Sequence, residues 1–116
     1  MAKDSWYTTN QMKLFAIKAP PGMVKLMNAE AANRDMTKRD YYRSVLVNFL
    51  PHADTVACLA SYKSPDADIL RFWMDKDIYD FIEEVSLKKR VSLSSVCYTA
   101  FFTHYQKLQN QFDNAL

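Results

Sequence analysis

Apolar and polar residues follow two rhythms along this chain, and the second half shows both. From Asp68 to Met74 they alternate singly, so Leu70, Phe72 and Met74 share one side of an extended strand while Ile69, Arg71 and Trp73 share the other. Beyond Asp75 the rhythm lengthens. Ile78, Phe81, Ile82 and Val85 recur at i, i+3, i+4 and i+7, the stripe of an amphipathic helix. Asp75 stands where a carboxylate can cap that helix, and Lys88, Lys89 and Arg90 suit its negative pole. Ser92 then opens a second helix, with Val96, Cys97, Ala100, Phe101 and His104 at i, i+1, i+4, i+5 and i+8. A single strand cannot make a sheet and so small a helix pair has little core, so this strand–helix–helix unit needs a partner.

The same grammar appears 55 residues earlier. Met12 to Ala19 reads as a strand, Met23, Leu26, Met27 and Ala31 as a helical stripe, and Thr37 takes the place of Ser92. Tyr41, Tyr42, Val45, Leu46 and Phe49 repeat the later helix pattern and read as packing residues. The step from Ala19 to Thr37 equals that from Met74 to Ser92. Few identities accompany the match, so the repeat is one of burial pattern. In the first strand Phe15, Ile17 and Ala19 form the bulkier face, which assigns Leu14, Ala16 and Lys18 outward; a register shift of one residue would exchange the two faces. Pro20 or Pro21 opens the helix that follows, which runs to about Arg34.

Certain outward residues have chemistry. The Arg71 fork matches guanine O6 and N7 together, or else pairs with nearby acids. Trp73 is an exposed aromatic that either packs on a neighbour or meets DNA. The amides freed at the Thr37 helix start form an anion site, with Lys38 and Arg39 beside it and Arg43 on the next turn.

Strand–helix–helix, twice, with Thr37 and Ser92 starting the second helices, resembles the ribbon-helix-helix family of DNA-binding proteins over Met12 to Phe49 and Ile69 to Lys107. The tandem, single-chain form resembles accessory proteins of T-DNA transfer. The resemblance implies a mostly α fold with one two-stranded antiparallel β-ribbon, a tandem ribbon-helix-helix intramolecular pseudo-dimer that is a monomer in solution. It implies a ribbon that enters the major groove of double-stranded DNA, with Leu14, Ala16, Lys18, Ile69, Arg71 and Trp73 toward the bases. Phosphates would then lie at the two helix starts, at Thr37, Lys38, Arg39 and Arg43 and at Ser92, Ser94 and Ser95. The implied role is an accessory factor in T-DNA processing and transfer, with other DNA-processing or transfer proteins as partners. A plasmid-type transcriptional repressor is an alternative on the same scaffold, and so is a protein–protein adaptor.

The chain divides into an arm (residues 1–10), a first unit (11–50), a connector (51–67), a second unit (68–107) and a tail (108–116). Pro51 and Pro65 bracket the connector, whose middle, Thr55 to Tyr62, is apolar enough to pack as a short helical turn. Charge separates the units. Met12 to Leu50 holds seven basic and three acidic residues, a net of +4, whereas Asp68 to Lys107 holds six of each, with Asp77, Asp80, Glu83 and Glu84 on its first helix. The whole chain carries only +2, so any case for nucleic acid rests on where charges sit. A single glycine, Gly22, excludes a glycine-rich phosphate loop; His52 and His104 stand apart, and Asp66 and Asp68 offer a carboxylate pair in a loop with nothing else to suggest a nuclease. The reading is therefore of a non-enzyme without metal or cofactor. Cys58 and Cys97 have no CxxC spacing, and no apolar run approaches the roughly 18 residues of a membrane span. No secretory signal stretch opens the chain, which fits a reducing cytoplasm.

Overall fold

The computed structural model describes residues 12–115, with side chains as far as Gln111. Two strands and four helices follow one another as β1 (Met12–Ala19), α1 (Pro21–Asn33), α2 (Lys38–Phe49), β2 (Asp68–Asp75), α3 (Lys76–Lys89) and α4 (Leu93–Ala115). The arm at residues 1–10 lies outside the described residues.

β1 and β2 pair antiparallel, although α1, α2 and the connector stand between them in the chain. Met12 faces Asp75, Phe15 faces Phe72 and Ala19 faces Asp68. Alternation makes this ribbon two-faced. Ile17, Ala19, Leu70, Phe72 and Met74 are buried beneath it, and Phe15 stacks at 6.1 Å from the Phe72 ring. Below, Phe72 meets Phe101 edge-on at 4.9 Å, and Phe101 meets Tyr42 at 5.6 Å. Met23, Met27, Leu46, Ile82 and Val96 complete one continuous core drawn from both strands and all four helices. Burying this shared apolar surface is what neither unit could achieve alone.

Proline at the first position starts α1 with φ already helical. The turns between helices are the same in both units. At the end of α1 the Asp35 amide donates to the Ala32 carbonyl and the Met36 amide to the Ala31 carbonyl, with Asp35 at φ 54°. At the end of α3 the Arg90 amide donates to Leu87 and the Val91 amide to Ser86, with Arg90 at φ 57°. Each is a Schellman closure with a non-glycine residue held left-handed. Two residues later Thr37 accepts from the Asp40 amide at 3.1 Å, and Ser92 from the Ser95 amide at 3.0 Å. The 55-residue offset thus extends from burial to backbone conformation.

The structure revises four expectations. Asp75 occupies the cap position of α3, but its side chain makes no capping bond and accepts from Arg43 instead. The helical turn of the connector falls at Leu50–His52, not at residues 55–62. There the backbone stays irregular because side chains of other elements take its polar groups. Lys89 Nζ donates to the carbonyls of Asp54 and Val56, the Leu59 amide donates to Thr99 Oγ1, and the Leu59 carbonyl accepts from the Ser95 hydroxyl. Residues 108–115 continue α4 rather than forming a separate tail, with Leu108 buried on its inner face. Asp66 and Asp68 do not act as a pair: Asp66 accepts from Tyr62, and Asp68 opens β2 and accepts from the Ile69 amide.

Candidate nucleic-acid interface

The ribbon's outer face is built from cross-strand pairs. Leu14 faces Trp73, Ala16 faces Arg71 and Lys18 faces Ile69, and all six are exposed. Leu14 is 47% exposed, and Trp73 and Ile69 are each 37% exposed. Their outward position follows from the pleat, since Phe15, Ile17, Leu70 and Phe72 are drawn into the core from between them. Neither Arg71 nor Lys18 forms an ion pair among the described residues, so both charged ends face solvent. Two-stranded ribbons fit the major groove of B-DNA, which is about 12 Å wide.

A groove lies on each side of the ribbon, each at the start of a second helix. The first is lined by Met12, Arg39, Asp40, Arg43, Asp75, Lys76 and Asp77. Its charges largely answer one another: Arg43 lies 3.3 Å from Asp75, Arg39 lies 3.6 Å from Asp40, and Lys76 lies 2.8 Å from Asp80. Exposed pairs of this kind add little stability and exchange readily for a stronger anion. Thr37 and Lys38 are exposed at the same helix start.

The second groove brings Lys18 of β1 beside Lys63 of the connector and Ser94 of α4, and among the described residues no carboxylate lines it. Ser94, which lines it, and Ser92, the cap residue of the same helix, are both exposed. Ser95, a candidate phosphate ligand from its place in the sequence, is buried, and its hydroxyl is spent on the Leu59 carbonyl. It is a structural residue. Lys63 was not legible as part of this site, because strand and helix periods do not give the path of an irregular connector. The only signal was its charge between Tyr62 and Ser64. The groove at the start of α4 therefore takes its two charges, both basic, from β1 and the connector, whereas the groove at the start of α2 is internally paired.

Below the site, Tyr41 and Tyr42 are core residues, as their stripe predicts. Burial pushes both phenols up to about 12. Tyr42 donates to Asn28, and the Tyr41 hydroxyl lies 2.7 Å from His104 Nε2. Cys97 is a free thiol whose pKa burial pushes up to about 12, and Cys58 is free and half-buried. Among the described residues no group of three or more His, Cys, Asp or Glu is placed to hold a metal ion, and no helix is long and apolar enough to cross a membrane.

His104 gives the fold a pH dependence. Burial, and after it the Arg34 guanidinium, holds its pKa below the ordinary 6.5, against an opposing pull from Glu30. The unfolded chain then takes up a proton at pH values where the folded chain does not. Stability is full above about pH 6.5 and falls as the pH drops below that value toward the lower folded pKa. Urea midpoints at pH 7.5 and pH 5 should show this loss, and His104→Phe, which copies Phe49 of the first unit, should shrink it.

No family model matches this chain, and neither the curated proteins nor the solved structures contain a match to it.

Proposed function

We propose that this chain is a tandem ribbon-helix-helix pseudo-dimer that binds double-stranded DNA, with its ribbon in the major groove and a helix start clamping phosphate on either side. The observation that carries this reading is the outer face of the ribbon, where three cross-strand pairs stand exposed and neither Arg71 nor Lys18 forms an ion pair among the described residues. Arg71 reads guanine, Lys18 a neighbouring step, and Leu14, Ala16, Ile69 and Trp73 supply apolar contact to thymine methyls and sugar. Thr37, Lys38, Arg39 and Arg43 serve one flank, and Ser92, Ser94 and Lys63 the other. Because β1 and β2 differ in sequence, the site read is non-palindromic. By its resemblance to the C-terminal portion of the second product of the Agrobacterium virulence C operon, the chain acts as an accessory factor in T-DNA processing and transfer.

Gel shifts with duplex DNA at two salt concentrations test this. A ribbon with two clamps neutralises roughly four to seven phosphates, and log K falls with log salt by about 0.9 for each. Lys38→Ala combined with Arg39→Ala should weaken binding to all sequences alike and flatten the slope by about 2. A loss confined to one sequence would make these residues base readers instead of clamps.

A second reading, a protein–protein adaptor, draws on the outer face of α3. Asp77, Asp80, Glu83 and Glu84 are exposed there beside Phe81 and Leu87, themselves 42% and 73% exposed. Absence of any salt-dependent shift would favour it.

A further inference from the structure

A cavity of about 220 Å³ opens where the C-terminal turn of α2, the connector and the middle of α4 meet. Its floor is apolar, formed by Val45, Phe49, Val56 and Ala100. Its rim is polar, with His52, Thr103, His104 and Lys107, and among the described residues no carboxylate lines it. Asp54, the acid nearest in sequence to its connector wall, is turned to Lys88 at 3.5 Å.

The repeat explains why a cavity exists here. Val45 and Ala100 stand at the same position of the two units, as do Phe49 and His104, so each unit gives equivalent residues to the two walls. At both positions the second unit carries the smaller or more polar side chain. The missing volume is left open, and polarity enters on one side only. The volume lies below the roughly 300–1,000 Å³ of sites for drug-sized ligands, so the occupant is small. Tyr41 holds the His104 ring through Nε2, which leaves Nδ1 for another partner.

Charge selects the head group. The C-terminal pole of α2 at Phe49 carries about half a negative charge, which opposes an anion. The chain continues beyond it as a 3-10 turn, in which the Ala53 amide donates to Leu50 and the Val56 amide to His52. Those bonds take up the carbonyls of Leu50 and His52, beyond the helix, while within its last turn the Leu46 carbonyl accepts from the Leu50 amide. Lys107 brings a full positive charge to the rim from an exposed position. We propose that this cavity binds a small carboxylate with a short apolar body, the body on Val45, Phe49, Val56 and Ala100 and the carboxylate at Lys107 and Thr103. This site is separate from the ribbon and is tested without DNA.

Sodium benzoate titrated into the full chain, followed by amide NMR, provides the test, with benzyl alcohol as the neutral counterpart. Saturable shifts should concentrate at residues 45–56 and 100–107, and benzyl alcohol should bind about tenfold more weakly, the value of one charge-assisted contact. Lys107→Gln should lower benzoate affinity about tenfold and bring it to that of the alcohol, with the rest of the spectrum unchanged. Ala100→Leu should fill the floor and abolish binding of both. Should overpacking unfold that variant, Lys107→Gln decides alone. Equal binding of benzoate and benzyl alcohol, shifts that never saturate, or full benzoate affinity in Lys107→Gln would each overturn the proposal.

Discussion

Phe72→Ala is expected to cost about 3–5 kcal/mol of folding stability, the usual range for a large aromatic cut back in a core. Phe72 is 1% exposed and sits at the centre of the ribbon's inner face, between the Phe15 ring at 6.1 Å and the Phe101 ring at 4.9 Å. Removing it deletes both ring contacts and opens a void that β2 cannot close without leaving its register with β1. Domains of this size hold roughly 5–15 kcal/mol in total, so the variant should be near the edge of unfolding. Thermal and urea melts measure the loss. A variant that melts like the parent would mean that the strand faces are exchanged and that the ribbon presents Phe15, Ile17, Leu70 and Phe72 outward.

Arg71→Ala should do the opposite. Its neighbour in the strand is buried, but Arg71 itself is exposed and has no ion-pair partner among the described residues. Its removal should leave the melting temperature nearly unchanged. In DNA binding a bidentate arginine–guanine contact is worth about 1–3 kcal/mol of discrimination, so sequence preference should relax tenfold or more. Competition between preferred and scrambled duplexes at fixed salt isolates that effect from the phosphate contribution. If Arg71→Ala unfolds the chain while its sequence preference persists, Arg71 is a structural residue and the adaptor reading gains.

The alternating and helical periods were enough to place both strands, all four helices and the two faces of the ribbon, because burial alone decides those positions. Leu14, Ala16 and Lys18 could be assigned outward only by comparing bulk on two faces of one strand. The pairing with Trp73, Arg71 and Ile69 supplies the reason: each outward residue meets another outward residue, and Phe15 and Ile17 meet the inward Phe72 and Leu70. The irregular connector was not legible. Its course is fixed by Lys89, Ser95 and Thr99, which belong to α3 and α4 and hold its backbone groups from outside. For the same reason Ser95 was read as a surface ligand and Lys63 was passed over. Asp75 was assigned to its helix because a carboxylate at that position usually caps; Arg43, distant in sequence, competes for it.

The ribbon joins two strands with all of residues 20–67 between them, and this fixes the order in which the protein can be made. At roughly 5–20 residues per second, β1 leaves the ribosome several seconds before β2 exists. Through that interval β1 is an unpaired edge carrying Leu14, Phe15 and Ile17, the kind of edge that pairs with whatever strand it meets first. When β2 arrives on the same chain, closing so long a loop costs only logarithmically more than closing a short one, so the delay is set by synthesis more than by entropy. When chains are crowded, β2 of a neighbour can arrive first. The same register then forms between two molecules, and an exchanged dimer with two identical ribbons results.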